Sequence, residues 1–300
     1  VTERAPEQDT APAETQTRKE SLTAMDRVRL ARDPKRPATL DYVHELLQNV
    51  IELRGDRAFG DDQALIGGLG TFRDRSVVWM GHQGGTNTQE NLLRNFGMPR
   101  PEGFRKARRL MRPARKFSLP ILTFVDTSGA DPGISSEERG QANAIAECLM
   151  EMVGTPVPIV ATVIGEGGSG GALAISLGDR LLMLENAIYA VASPEACAAI
   201  LWKDAGKAPE AAETMRITAA DLQRFGIIDE LIAEPVPAHE APRDTIQTGG
   251  DRIEAHLDEL YAGCEAGNVE RTQELLDRRY QKFRVIGLSH LPTLLHVHAG

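Results

Sequence analysis

Cysteine is scarce in this chain: Cys148, Cys197 and Cys264 are the only three in 300 residues, odd in number and far apart. That excludes a disulfide framework or a CxxC zinc ribbon, and it suits a reducing compartment. Long apolar runs are missing too. No stretch approaches the roughly 18 consecutive apolar residues of a membrane helix, so none is expected to span a bilayer. Net positive charge is absent, since 43 acidic residues against 34 basic leave −9. Nucleic acid is therefore not expected as a main partner, because phosphate binding draws on net basic surface. Residues 1–20 lack both an apolar core segment and an Arg-rich, acid-poor bias. They read as a disordered arm, not a signal or transit peptide, and the cytoplasm is the expected compartment.

What is there is an ordinary globular composition, 41% hydrophobic and 26% charged, with core enough for one large domain or two ordinary ones. A helix is expected from Ser21 towards Arg32, stopped before Pro34. Thr39 has the character of a cap for a second helix, in which Leu46, Leu47, Val50 and Ile51 recur at helical spacing. From Ala64 to Gly84, short apolar runs alternate with Gly67, Gly68, Gly70 and the polar turn Arg73-Asp74-Arg75, which predicts a β-meander. An amphipathic helix starts at Pro101, with Phe104, Ala107, Met111 and Ala114 on one side and Arg105, Arg108, Arg109 and Arg112 on the other. Pro113 is expected to kink or end it. The basic stripe is either a solvated face or a contact for phosphates or an acidic partner.

The run 121–125 reads as a strand leading into Asp126-Thr127-Ser128-Gly129-Ala130, and Ser135 or Ser136 as the cap of a long helix to about Val153. A second strand over 159–164 enters a glycine cluster followed by a helix from Ala172 to Leu177. Strands are also expected at 180–184, 187–191 and 227–232, with helices opened by Ser193 and Thr218 and two more near 251–264 and 269–285. Two strand–loop–helix units behind a meander imply an α/β fold with its site on the loops at the strand C-termini.

The strongest local signal is Gly165-Glu166-Gly167-Gly168-Ser169-Gly170-Gly171-Ala172, with five glycines in its first seven residues. Backbone without side chains can approach a ligand closely, and a helix start presents free N–H groups and the positive end of the helix dipole. That is equipment for holding an oxyanion; tight packing of a strand–helix turn would use the same residues. Gly167-Gly168-Ser169-Gly170-Gly171 also satisfies G-x-S-x-G, the pattern of a nucleophile elbow. A hydrolase would then need an acid and a histidine at strand ends after Ser169. His239 and His256 lie in or just after a linker, and His290, His296 and His298 lie in the irregular tail. A lone acyl-CoA hydratase or isomerase would need placed carboxylates, for which Glu166 and Glu195 are the candidates. A non-catalytic binding module is the third alternative. His82 between glycines and the small Cys148 and Cys197 read as structural.

Several ordered segments resemble one family, the carboxyltransferase alpha subunits of bacterial-type acetyl-CoA carboxylase. They are Arg36-Pro37-Ala38-Thr39-Leu40-Asp41-Tyr42-Val43, Gly81-His82-Gln83, Asn95-Phe96-Gly97-Met98-Pro99, Pro101-Glu102-Gly103-Phe104, Glu137-Glu138-Arg139-Gly140-Gln141, 163–174, Ser193-Pro194-Glu195-Ala196-Cys197, and Arg278-Arg279-Tyr280. The likeness covers roughly 21–283. One departure stands out: the family reads Gly-His-Gln-Lys-Gly-Arg where this chain has Gly84 and Thr86 in place of the two cations.

The resemblance implies an α/β fold of crotonase type, a spiral of ββα units with peripheral helices at both ends. It divides the chain into an arm (1–20), a carboxyltransferase domain (21–266) and a C-terminal helix and tail (267–300). It implies transfer of carboxyl from carboxybiotin to acetyl-CoA, giving malonyl-CoA in the first committed step of fatty acid synthesis. Biotin would arrive on a biotin carboxyl carrier protein, within an ATP-binding complex that includes biotin carboxylase. The obligate partner would be a zinc-ribbon beta subunit, as α2β2, with no metal in this chain. By position, Gly171 and Ala172 match the residues whose N–H groups hold the biotin ureido oxygen, with Gly167, Gly168, Gly170 and Gly129 around the substrate.

Overall fold

A computed structural model describes residues 22–262 and 269–287. The expectations for 1–20, for Cys264 and for the tail with His290, His296 and His298 lie outside the described residues. One eight-stranded sheet organises the chain. β1 (Leu47–Glu52), β2 (Leu65–Phe72) and β3 (Arg75–His82) form an antiparallel meander. Arg73 and Asp74 both take positive φ (44° and 66°), the turn that matches the right-handed strand twist in a two-residue hairpin. The rest is parallel: β3 pairs with β4 (Ile121–Thr127), β4 with β5 (Ile159–Gly168), and β5 with β6 (Arg180–Leu184). β7 (Ile188–Ala190) pairs with the end of β5, and β8 (Glu230–Ile232) with β6. Helices on both faces explain why Ile121, Phe124, Ile159, Ala161 and Val163 form near-continuous apolar runs, all fully buried. This is the crotonase-type architecture that the resemblance implied.

Helix α1 (Ala24–Ala31) is capped by Thr23, whose hydroxyl accepts from the Asp26 N–H. Helix α2 (Thr39–Leu46) is shorter than its apolar spacing predicts. Residues 47–52 are strand: Leu47 pairs with Phe72 and Ile51 with Leu69, and an added Cβ on Gly68 would lie 1.9 Å from the Ile51 carbonyl oxygen. Thr39 does not cap α2. Its hydroxyl donates to the His82 carbonyl at 2.5 Å, tying α2 to β3.

After α3 (Thr88–Leu93), which the sequence reading missed, α4 (Pro101–Phe117) runs straight through Pro113. Proline in a helix interior costs about 3 kcal/mol. Phe104, Leu110 and Met111 are fully buried along the same face, at about 1.5–3 kcal/mol each, and the sum outweighs that cost. Its basic side is largely consumed within the chain: Arg105 pairs with Asp56 and Glu102, Arg108 with Glu147, and Arg115 with Glu151. The long helix expected to Val153 is two, α5 (Ile134–Glu138) and α6 (Gln141–Val153), separated where Gly140 takes φ 80°.

The helix after the glycine cluster is α7 (Ser169–Leu173), earlier and shorter than the run 172–177. Then follow α8 (Pro194–Trp202), capped by Ser193, α9 (Ala208–Met215) and α10 (Ala219–Arg224), capped by Thr218. α11 (Pro242–Tyr261) and α12 (Val269–Arg284) are the last helices among the described residues. Arg279 anchors α12: buried, it donates to both Asp179 carboxylate oxygens and to the carbonyls of Met152, Val153, Thr155 and Val157.

Candidate active site

The C-terminal ends of β3, β4 and β5 converge, and the loops leaving them build the site. After β4, Thr127 Oγ1 accepts from the Gly129 N–H at 3.1 Å and donates to the Gly129 carbonyl at 2.8 Å, which folds Ser128-Gly129-Ala130 into a tight turn. After β5, the glycine cluster packs onto that turn. A Cβ on Gly168 would lie 2.2 Å from the Ser128 carbonyl oxygen, and one on Gly171 would lie 2.6 Å from the Ala130 nitrogen. Backbone lies against backbone there, so any side chain would force the loops apart. Gly170 is different, its nearest neighbour being Ile145 at 3.7 Å.

Gly168 caps α7. By helix geometry the amides of Ser169, Gly170 and Gly171 have no i−4 acceptor inside it, and Ala172 is the first that does, through the Gly168 carbonyl. Gly171 and Ala172 are buried, whereas Ser169 is exposed and Gly170 half-buried.

His82 is fully buried at the end of β3 and joins both loops. Its Nδ1 accepts from the Asp126 N–H at 3.3 Å, and its Nε2 lies 3.2 Å from the Gly171 carbonyl oxygen. Burial pushes the imidazole pKa down to about 3, so the ring is neutral at physiological pH. Because a backbone N–H can only donate, the Asp126 contact at Nδ1 favours the tautomer with the ring proton on Nε2, towards the Gly171 carbonyl; the Phe124 backbone is the ring's other neighbour.

Beside these loops lies a cavity of 530 Å³, lined among others by Arg36, Gln83, Gly84, Phe96, Asp126 and Glu166. Burial pushes the Asp126 carboxyl up to about 6, against the opposing effects of the Glu166 N–H, 2.9 Å from Oδ1, and of the Arg36 charge. Arg36 itself is committed elsewhere: Nε donates to the Ile164 carbonyl at 2.6 Å, and its two Nη atoms to the buried Glu234 carboxylate. At the cavity mouth Arg32 forks between the two candidate carboxylates, 2.7 Å from Glu166 and 2.8 Å from Glu195. Partial burial works to raise the Glu195 pKa, but the Arg32 bond and charge outweigh it and hold it below the ordinary value. A carboxylate so paired is a poor general acid, which weighs against the hydratase alternative.

Among the described residues the hydrolase alternative finds no supporting geometry. Ser169 does sit at φ 50° on a strand–helix turn, as an elbow would. However, both His82 nitrogens are engaged, His256 bonds Arg180 and Glu230, and His239 faces Glu240. No described histidine bonds the Ser169 hydroxyl.

The structure thus brings Gly168 and Gly171 into turn-on-turn contact with Ser128, Gly129 and Ala130, while Gly170 and Ala172 share the same helix start without touching that turn closely. Gly167 stands at the edge, where a Cβ would meet the Tyr189 ring at 2.3 Å. What the sequence reading missed is His82 and Asp126. The available signal was position, since His82 ends β3 and Asp126 lies at the end of β4, the two strands that precede β5 in the sheet order, in a fold whose loops gather at that edge.

Comparison with known proteins decides the family. The acetyl co-enzyme A carboxylase carboxyltransferase-like family matches residues 6–287. The chain belongs to this family. It is 55% identical over 269 residues to the acetyl-coenzyme A carboxylase carboxyl transferase subunit alpha of Prochlorococcus marinus (strain MIT 9312), covering 89% of this chain and 78% of that protein. The subunit of the same name from Acidithiobacillus ferrooxidans (strain ATCC 53993 / BNL-5-31) is 54% identical over 268 residues, covering 89% and 83%. Among solved structures, transcarboxylase 12S with methylmalonyl-coenzyme A and methylmalonic acid bound superposes with a TM-score of 0.58 at 19% identity, over 75% of this chain and 43% of that one. A Pseudomonas malonate decarboxylase hetero-tetramer in complex with coenzyme A gives 0.57 at 15% identity, over 75% and 93%. The two structural likenesses bear on fold alone. The relatives establish a carboxyltransferase, hence a transferase, of the alpha-subunit type.

Proposed function

We propose that this chain is the alpha half of an acetyl-CoA carboxylase carboxyltransferase, moving carboxyl from carboxybiotin to acetyl-CoA to give malonyl-CoA in the cytoplasm. The observation that carries the reading is the Gly171 contact: a helix start locked against the Gly129–Ala130 peptide keeps backbone dipoles fixed where charge must be stabilised. In this reading the Gly171 and Ala172 amides face the ureido oxygen, and access to them runs past exposed Ser169 and half-buried Gly170. The Ala172 amide would be shared with the Gly168 carbonyl, a three-centre arrangement common at helix ends. Carboxybiotin supplies the carboxyl group and a ureido nitrogen able to take the α-proton of acetyl-CoA, which agrees with the lack of a triad around Ser169 among the described residues. Gly167, Gly168, Gly170 and Gly129 shape the approach.

The partners in this proposal are a zinc-ribbon beta subunit carrying most of the acetyl-CoA site, in an α2β2 assembly, together with a biotin carboxyl carrier protein and biotin carboxylase. Exposed Leu173, Val191, Ile200 and Leu201 beside the glycine turn and along α8 suit an interface of this kind. The test is malonyl-CoA:biocytin exchange by the purified chain, alone and mixed with a beta subunit. Activity only in the mixture is expected; robust exchange by the chain alone would refute the split site.

A further inference from the structure

The turn contains one bond with more than a packing role. α7 is only five residues long, and its far end tightens: the Ile175 N–H goes to the Ala172 carbonyl at 3.3 Å instead of reaching back to Gly171. The Gly171 carbonyl is thereby left for another donor, and His82 Nε2 is the group that meets it, 3.2 Å away. Asp126 N–H at Nδ1 favours the tautomer that makes Nε2 the donor, and Thr39 holds the His82 carbonyl from the other side. The Gly171 carbonyl and the Ala172 N–H are the two ends of one peptide group.

We propose that His82 is a positioning residue for carboxyl transfer, orienting and polarising the Gly171–Ala172 peptide so that its N–H is a stronger donor to the developing oxyanion. A hydrogen bond to a carbonyl draws electron density from the same amide nitrogen, and bonds in such a chain strengthen one another. The imidazole is neutral, so the effect is dipolar and adds no charge that a resting ligand would feel. It grows with the charge on the oxyanion and therefore acts on turnover more than on ground-state binding. The inference deepens the proposed function and rests on the Gly171–Ala172 pair being the oxyanion site.

Two variants separate the donor from the packing, measured in the chain assembled with its beta subunit. His82→Gln can place an amide N–H near the Nε2 position, whereas His82→Asn restores only an acceptor near Nδ1. His82→Asn is expected to lower kcat about 10–100-fold, the range typical for losing an outer partner of a reacting site, with acyl-CoA KM little changed. His82→Gln should recover most of that loss. Equal kcat in both variants and the parent, where removing the Ala172 N–H does lower kcat, would overturn the role of His82; no effect from either change would instead refute the oxyanion pair. Should the variants misfold, ¹⁵N chemical shifts of the His82 ring in the intact wild-type complex provide a second readout. An Nε2–H neutral ring from pH 5 to 9 is expected, and an Nδ1–H tautomer or an imidazolium in that range would overturn the proposal.

Discussion

His82 Nε2 and the Gly171 carbonyl oxygen stand 3.2 Å apart although 89 positions separate the two residues, and the bond joins the end of β3 to the first turn of α7. The same ring accepts from Asp126 at the end of β4. Three neighbouring strands are thus tied together at the edge where their loops form the candidate site. A neutral, buried ring suits this role, because it donates on one side and accepts on the other without needing a counter-ion.

The close approach at Gly171 predicts a contrast with its neighbour. Gly171→Ala would drive a methyl group to 2.6 Å from the Ala130 nitrogen, whereas Gly170→Ala meets nothing nearer than 3.7 Å. Exchange activity in the assembled enzyme should fall at least about 100-fold for Gly171→Ala, the scale of a lost oxyanion donor. Gly170→Ala should keep native folding by circular dichroism and assemble normally. Equal activity in the two variants would show that the turn-on-turn contact is not what the reaction needs.

Arg36 and Glu234 form a buried ion pair at 2.6 Å, and the Glu234 carboxylate also accepts from the Asn186 and Ala238 N–H groups. Arg36→Ala leaves a buried carboxylate without its cation, which costs about 3–5 kcal/mol. Denaturant unfolding should show that loss. Removing both partners, as in Arg36→Met with Glu234→Leu, should cost less than the single change. A smaller loss in the single variant than in the double would contradict the assignment.

Asp126 sets a pH dependence. Its folded pKa, raised to about 6 by burial, exceeds the unfolded value of 3.8, so the folded state binds more protons in between. The contribution is fully present below pH 3.8 and is lost as pH rises through 6. Asp126→Asn keeps an acceptor for the Glu166 N–H and removes the ionisation. At pH 8 it should be more stable than the parent by on the order of 1–3 kcal/mol, an advantage that shrinks towards pH 4. An advantage independent of pH would mean that Asp126 ionises normally.

Much of this was legible in the residues. Alternating apolar runs and the turn Arg73-Asp74 gave the meander, Ser193 and Thr218 marked helix starts that exist, and the glycine run marked the closely packed turn after β5. Where reading failed, long-range contact had outweighed local pattern. Leu47 to Glu52 carry helical spacing, yet β2 offers a free edge and Gly68 lets Ile51 lie flat against it. Pro113 speaks for a helix end, yet the buried face of α4 holds the helix together. The role of His82 was hidden because its partners, Asp126 and Gly171, are near it only after three strands have paired.

The central claim is that the Gly171–Ala172 peptide donates its N–H to the oxyanion. Proline at 172 is a blunt probe, because its ring would strike the Gly168 carbonyl that caps the same turn. Replacing the peptide by an ester, with lactate in place of Ala172, deletes the N–H and keeps the shape. The measurement is kcat for carboxyl transfer by the ester-containing chain assembled with its beta subunit, after circular dichroism confirms folding. A fall of about 10²–10³-fold with acetyl-CoA KM little changed is expected; an assembled ester enzyme with near-parent kcat would contradict the account.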